Sequence, residues 1–461
     1  MLVESFSGIR GVYPKEINEA VVRKYSYAFR EFLKSKTRGT KEEPRIVVGR
    51  DTRKSSSCLK DAISDVFFDI IDVGVMPIAC VELAVREYRA DGGIMVTASH
   101  NPPEHNGLKF LGRDGSILRQ DEIRKVINRF HKINKMDEED FMKKLYNKKS
   151  RLKIKKIEKR NIDLLNRYIR FIKGRVGKIK NKSKVIVDPN GGAGIILEKI
   201  RKKLGIRNLK VINRVAGKFL REIEPKKESL AGMWGIIKKE KADFLAGFDC
   251  DADRLEILLK DGSLLNGNQI LAIIVNEVLS KAKNKTVVIN DATSNMVRKV
   301  VEKHNGKVIE VEVGETNIVN AMLEYGSVVG GEGSNGGVII YPNRCRDGIL
   351  SLLYIIKIIS MKTSIEELIM KLPRYYTIQK NIKFMGDIDE LKRKIKTYYS
   401  QFKIQMRGGK EGSLKVMIDK DSFVWFRASK TESNLLRVIA DSNERKKSKR
   451  LIKEAVSLIY G

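Results

Sequence analysis

Short runs of β-branched and aliphatic residues recur along this chain, each parted from the next by a longer segment with helical spacing. Residues 45–49, 93–97, 184–188, 243–248, 286–289 and 327–330 read as strands, and 58–68, 268–279 and 317–325 as helices. Strands alternating with helices restrict the fold to α/β domains built on largely parallel or mixed sheets. At 461 residues the chain is too long for one core and should divide into three or four domains. From about residue 373 the texture changes. Hairpin-like short strands at 412–418 and 423–427 run into a helix over 444–458, a smaller α+β domain.

A first boundary is expected near residue 150. Residues 148–184 hold sixteen Lys or Arg against two acids. Within that stretch Ile162, Leu165, Ile169 and Ile172 repeat at helical spacing and should pack on something, whereas the rest reads as a solvated connector. The formal net charge is +34, and 42% of the residues are hydrophobic, ample for buried cores. Whole-chain charge describes a surface and not a site, so it is read as solvation; nucleic acid and anionic substrates are the functional alternatives. Cys58, Cys80, Cys250 and Cys345 lie far apart with no CxxC pair, which argues against a disulfide framework or zinc site and suits a reducing cytoplasm. The N-terminus lacks the pattern of a signal peptide. The strongest apolar stretch, 348–361, contains Lys357 and is too short for a membrane span, so it reads as a buried helix.

Two segments carry chemistry. Thr97-Ala98-Ser99-His100-Asn101-Pro102-Pro103 puts a hydroxyl on a tight turn after an apolar run. Asp249-Cys250-Asp251-Ala252-Asp253-Arg254 places three carboxylates at alternate positions after another, a donor set suited to a hard cation such as Mg²⁺. An EF-hand is excluded, because its sixth and twelfth positions are here Arg254 and Lys260 instead of Gly and Glu. A hydrolase elbow is absent, since Thr97 and Asn101 stand at the glycine positions of G-x-S-x-G. A serine that carries phosphate facing a metal cluster fits better, because the phosphate charge needs neutralising. The turn Asp188-Pro189-Asn190-Gly191-Gly192 lacks dinucleotide-fingerprint spacing and reads as a strand-to-helix turn, and no P-loop is present. Trp234 and Trp425 read as packing residues.

With these motifs the chain resembles the alpha-D-phosphohexomutase family, and the resemblance extends over essentially its whole length. Ser7-Gly8-Ile9-Arg10-Gly11, Gly49-Arg50-Asp51-Thr52-Arg53, the Ser99 loop, Asn106-Gly107-Leu108-Lys109 and the Asp249 loop occur in the family's order. Gly331-Glu332-Gly333-Ser334 and Arg427-Ala428-Ser429-Lys430-Thr431-Glu432 follow, resembling the sugar-specificity and phosphate-binding loops. The resemblance implies three related α/β domains with mixed sheets plus a C-terminal α+β phosphate-binding domain. These are a phosphoserine domain (1–150), a metal-loop domain (151–255), a sugar-specificity domain (256–370) and a phosphate-binding domain (371–461).

It further implies Mg²⁺ held by Asp249, Asp251, Asp253 and the phosphate on Ser99, with a hexose 1,6-bisphosphate as activator. Phosphoserine 99 would pass its phosphoryl group to a glucose or mannose phosphate, and the bisphosphorylated sugar would turn over and return its other phosphate. Arg254 and Lys109 would serve the transferring group, and Arg10, His100 and Lys109 the protons. Glu332 and Ser334 would grip ring hydroxyls. Arg427, Ser429, Lys430, Thr431 and Arg437 would hold the distal phosphate.

The chain departs from the family pattern at Cys250, in the sugar loop and in the last loop. Asn335-Gly336-Gly337 can alternatively be aligned as an N-G-G form with one inserted residue. Phosphoglucosamine mutase is the neighbouring alternative, and Thr97 before Ala98-Ser99 leans toward the glucose and mannose class. A nucleic-acid-binding protein on a degenerate mutase scaffold is the remote one, and the intact carboxylates and serine weigh against it. A mutase that also touches nucleic acid through 148–184 stays open. The expected protein is a cytoplasmic monomer or homodimer acting on a sugar phosphate, with no membrane partner.

Overall fold

A computed structural model describes residues 2–36, 43–149, 156–361, 363–409, 412–429 and 434–460. They form two compact units, one of Met1–Leu265 with Pro342–Lys362 and one of Asn266–Tyr341 with Thr363–Gly461.

The first unit opens on a seven-stranded mixed sheet whose spatial order is Val3–Ser5, Gly8–Val12, His105–Leu111, Gly92–Val96, Arg45–Arg50, Asp69–Val75, Lys156–Lys159. The first four strands pair antiparallel and the remainder parallel. One face is covered by the helices Glu19–Lys36, Ser56–Ser64 and Gln120–Asn134. Their apolar positions fall on single stripes: in the last helix Ile123, Val126, Phe130 and Ile133 are buried at spacings of three and four. The helix Ile78–Glu87 lies on the other face, and two glycines let it approach. A Cβ on Gly49 would stand 2.4 Å from Val81 Cγ2, and one on Gly93 would stand 2.8 Å from Val85 Cγ2.

The unit's second sheet runs Leu264–Leu265, Leu255–Leu259, Phe244–Phe248, Val185–Asp188, Leu209–Val211. Phe244–Phe248 is buried along its whole length and pairs parallel with Val185–Asp188, antiparallel with Leu255–Leu259. The Asp188 turn leads into a 3-10 turn, Ala193–Ile196, and the helix Leu197–Lys203, as its composition predicts.

The second unit has a four-stranded sheet ordered Lys307–Val311, Thr286–Asn290, Val329–Glu332, Gly337–Ile340, parallel except for the final hairpin. Its other sheet is wholly antiparallel: Tyr376–Lys383, Leu435–Ser442, Phe423–Ala428, Ser413–Met417, Lys403–Arg407. The helices Ile388–Tyr398 and Arg445–Tyr460 cover one face through Leu391, Ile395, Leu451, Ile452 and Ala455. The opposite face meets the first sheet's loops, where Ala292, Phe423, Trp425 and Ile439 share a core. Beside it Lys415, fully buried, places Nζ 3.0 Å from Glu310. A buried lysine is tolerable only when so paired.

Local patterning misjudged four details. The helix expected over 58–68 is Ser56–Ser64, because Val66, Phe67 and Phe68 enter the core as chain leading into Asp69–Val75. The strand expected over 327–330 is Val329–Glu332, since Ser327 turns its hydroxyl to the Thr286 and Val329 carbonyls. The basic connector is not all solvated linker. Lys156–Lys159 pairs parallel with Asp69–Val75 as an edge strand whose charges suit the solvent-facing rim. In the helix Asn161–Val176, Leu165, Ile169 and Ile172 are buried, but Ile162 in its first turn faces solvent. Trp425 is buried, whereas Trp234 is part-exposed, with Nε1 donating to the Lys260 carbonyl and Lys238 over its ring. The apolar stretch at 348–361 forms the buried helix Gly348–Ile359. No helix among the described residues is long and apolar enough to cross a membrane.

Candidate active site

In the first unit, two strands deliver their following loops to one place. Ser99 follows Gly92–Val96 and the carboxylate loop follows Phe244–Phe248, so both functional segments leave the carboxyl ends of strands, where open α/β sheets bind ligands. Ser99 is buried and its φ of 52° lies in the left-handed region, a conformation that costs about 1–3 kcal/mol unless the surroundings impose it. Those surroundings are identifiable. Ser99 N–H donates to Thr97 Oγ1 at 2.8 Å. Arg53, itself buried against Asp51, donates to the carbonyls of Ser99 (2.9 Å), Asn101 (2.7 Å), His105 (3.0 Å) and Pro102. One guanidinium thus satisfies four carbonyls of the loop. Ser99 Oγ donates to Asp249 Oδ2 at 2.9 Å, and His100 Nδ1 lies 3.4 Å from the same hydroxyl.

The carboxylate loop wraps around its first member, because Asp249 Oδ1 accepts from the N–H groups of Asp253 (3.1 Å) and Arg254 (3.2 Å). Three neighbours pin its backbone. Ile78 N–H donates to the Asp251 carbonyl, Ala193 N–H to Cys250, and Gly348 N–H to Ala252. One ligand atom from each of Asp249, Asp251 and Asp253 lies within 4.8 Å of the others, and all three residues are buried. Lys109 Nζ sits 2.7 Å from Asp251 Oδ2 and 3.3 Å from Asp253 Oδ2, while Arg346 donates to Asp253 Oδ2 at 2.6 Å. The remaining oxygens, Asp251 Oδ1 and Asp253 Oδ1, are buried with no hydrogen-bond partner. Buried carboxylate oxygens left without donors are costly unless a cation takes them, and the all-oxygen set suits Mg²⁺.

The charges set the titration. Burial together with Asp253 and Asp251 pushes the Asp249 carboxyl well above its usual range. Burial acts on Asp253 in the same sense but is overcome by Arg346, Lys109 and Arg254, which hold it well below. Burial and the neighbouring Arg254 and Arg10 press the His100 imidazole well below its ordinary value, so it is neutral at neutral pH. Arg10, lowered to about 10 by burial and by Arg254, stays protonated there and donates to Asn101 Oδ1 at 2.9 Å. Arg254 pairs with Glu224 at 2.6 Å. Arg10, Ser99, His100, Lys109, Asp249, Asp251, Asp253 and Arg254 all lie in the first unit.

The remaining residues singled out in the sequence lie in the second unit. Glu332 is buried and accepts from Gly314 N–H (3.0 Å) and Asn290 Nδ2 (3.3 Å). Ser334 is half-buried in the 3-10 turn Gly333–Asn335 that closes the Val329–Glu332 hairpin. Arg427 and Arg437 are register partners on adjacent antiparallel strands, and Ser429 N–H donates to the Leu435 carbonyl. Lys430 and Thr431 lie outside the described residues.

Sequence reasoning did not single out Arg346, Glu224, or the clamping role of Arg53. Arg53 lies within the motif Gly49-Arg50-Asp51-Thr52-Arg53 and had that local signal, whereas Arg346 precedes the Asp347-Gly348 start of the apolar helix, which does not point to the carboxylate loop. Glu224 had none.

A mixed α/β unit that aims a serine hydroxyl into a buried carboxylate trio defines a metal-assisted phosphoryl-transfer enzyme. The comparisons with known proteins agree. Models of the phosphoglucomutase/phosphomannomutase α/β/α domains I, II and III match residues 4–137, 166–262 and 266–376. A phosphoglucomutase/phosphomannomutase of Thermococcus kodakarensis is 32% identical, over 98% of this chain and 97% of the relative. A probable phosphoglucosamine mutase of Pyrococcus abyssi is 29% identical, over 98% and 96%. A crystal structure of a phosphoglucomutase/phosphomannomutase family protein from Burkholderia thailandensis has the same fold, with a TM-score of 0.79, 22% identity, and 99% and 97% coverage. The chain belongs to the phosphoglucomutase/phosphomannomutase family and is an enzyme of phosphohexomutase type.

Proposed function

We propose that this enzyme interconverts the 1- and 6-phosphates of glucose, mannose or both, through a phosphoserine at Ser99 and a bisphosphorylated sugar. The observation that carries the reading is the Ser99 hydroxyl 2.9 Å from Asp249, beside the Asp251 and Asp253 Oδ1 atoms, which are buried and accept no hydrogen bond. Asp249, Asp251 and Asp253, with the phosphate on Ser99, would hold Mg²⁺, which when bound draws charge from the transferring phosphoryl group. In the forward half-reaction a sugar hydroxyl oxygen bonds to phosphorus as the Ser99 Oγ–P bond breaks. In the second half-reaction Ser99 Oγ loses its proton and bonds to the other phosphorus as that phosphorus parts from its sugar oxygen, which is protonated to a hydroxyl.

His100, neutral and 3.4 Å from Oγ, is the group able to accept a proton at that position. Arg10 acts as a fixed cation rather than a base, because its charge persists at neutral pH. Lys109 and Arg254 offset the carboxylate charge around the transferring group. Glu332 and Ser334 are proposed to bind the sugar, and Arg427, Ser429, Lys430, Thr431 and Arg437 its distal phosphate. The four domains drawn at 150, 255 and 370 are proposed as the working parts. A hexose 1,6-bisphosphate would load Ser99.

The test is intact mass with phosphosite mapping before and after incubation with glucose 1,6-bisphosphate, with and without a chelator, followed by challenge with hexose monophosphates. A phosphate on Ser99 that glucose 1-phosphate or mannose 1-phosphate discharges only when Mg²⁺ is present is the expected result. Dominant turnover of glucosamine 1-phosphate would transfer the assignment to the amino sugar. No phosphate on Ser99 under any loading condition would refute the mechanism.

A further inference from the structure

Arg427, one of the residues proposed to take the distal phosphate, already holds a carboxylate. Arg427 and Arg437 stand directly opposite each other on Phe423–Ala428 and Leu435–Ser442. Like charges in register on neighbouring strands repel, and an anion nearby relieves that repulsion. Glu312, just past the strand Lys307–Val311, supplies one: Arg427 Nη2 donates to Glu312 Oε1 at 3.3 Å. The pair is largely sheltered, with side-chain exposures of 8% for Arg427 and 13% for Glu312.

The space for this carboxylate is built into the backbone. Gly408 adopts a φ of 76°, and a Cβ there would come within 2.3 Å of both Glu312 carboxylate oxygens. Only glycine leaves that volume to the carboxylate. Meanwhile the buried Nε of Arg427 has no hydrogen-bond partner, so Glu312 leaves part of the guanidinium's donor capacity unused. A phosphate, with more acceptor oxygens in a fixed array, can use both edges of the fork.

We propose that Glu312 is a built-in competitor for the distal phosphate of the sugar. It occupies Arg427 while that phosphate is absent and is displaced when the phosphate binds. Its charge weakens the grip on the phosphate, which a bisphosphorylated sugar needs if it is to let go and turn over before the second transfer. The inference rests on the proposed role of Arg427 as a phosphate ligand, and the two can fail separately.

Calorimetric titration with glucose 6-phosphate, on wild type, Glu312→Gln and Arg427→Met, tests it, with circular dichroism to check folding and Glu312→Ala as a second variant. The expected result is that Glu312→Gln binds about tenfold tighter, about 1.4 kcal/mol by the standard conversion. KM falls with it, and less bisphosphorylated sugar escapes to solution per turnover. Arg427→Met binds at least about tenfold weaker. Unchanged or weaker binding in both Glu312 variants, with Arg427→Met weakened, overturns the competitor and leaves the phosphate site standing. Unchanged binding in Arg427→Met overturns the phosphate-site reading and the competitor with it.

Discussion

Replacing Gly348 by alanine isolates the coupling between the helix Gly348–Ile359 and the carboxylate loop. In an ordinary helix the exchange stabilises by up to about 1 kcal/mol, because alanine loses less backbone freedom on folding. Here the added Cβ would stand 2.8 Å from the Arg254 carbonyl oxygen, 2.9 Å from that of Ala252 and 3.2 Å from the Arg254 carbonyl carbon. All three atoms are backbone of the loop that carries Asp251 and Asp253, so no side chain can swing aside. Reaching an ordinary contact of 3.4 Å requires a displacement of about 0.6 Å. The helix resists moving, since Asp347 at its N-cap accepts from Tyr168 Oη (2.8 Å), Leu350 N–H (2.9 Å) and Asn343 Nδ2 (3.0 Å). The strain should therefore fall on the loop. Overpacking of this kind costs about 1–3 kcal/mol, which against a propensity gain of about 1 kcal/mol leaves a net loss of up to about 2 kcal/mol. A misplacement of about 1 Å can cost about a hundredfold in rate, so kcat/KM should drop about tenfold or more. Urea unfolding and steady-state turnover at saturating Mg²⁺ measure the two quantities. A Gly348→Ala protein as stable as wild type or more so, with unchanged kcat/KM, would refute the reasoning.

Two further outcomes follow from buried charges. Removing the Arg53 guanidinium in Arg53→Met leaves Asp51 buried without its partner and frees four carbonyls of the Ser99 loop; unfolding free energy should fall by about 3–5 kcal/mol. Arg53→Lys keeps the charge but not the fork, so its stability should partly recover while turnover stays at least about tenfold down; wild-type turnover in Arg53→Lys would contradict the clamp. Burial, opposed by Arg86 and by the Arg344 N–H, raises the Glu82 carboxyl to about 7 from an ordinary 4.5. Because the folded value is the higher one, this contribution is fully present below pH of about 4.5 and is lost as pH rises through about 7, on the order of 3 kcal/mol in all. Glu82→Gln should flatten that part of the stability profile, and a profile with the same slope as wild type would show that the group is not the cause.

Sequence by itself determined the α/β alternation, the serine loop and the carboxylate trio, whereas the approach of Lys109 to Asp251 and Asp253 is a product of the fold. Each of the first three is written locally: short continuous apolar runs for the strands, a turn residue after them, and ligands at every second position. The segment at 348–361 could likewise be recognised as a buried helix from its apolar content alone. Only the tertiary structure decided that this helix returns to the first unit and brings Arg346 to Asp253, because no pattern within either segment refers to the other. The same holds for Glu224 on Arg254 and Glu312 on Arg427, acids with no neighbouring motif to mark them. Lys156–Lys159 shows the converse. Its charges read as linker, yet an edge strand needs its backbone paired on one side only and can leave its side chains in water. Periodicity records which face of an element is buried. Which distant charge completes a site depends on where the folded chain brings that face, and that is a property of the packing.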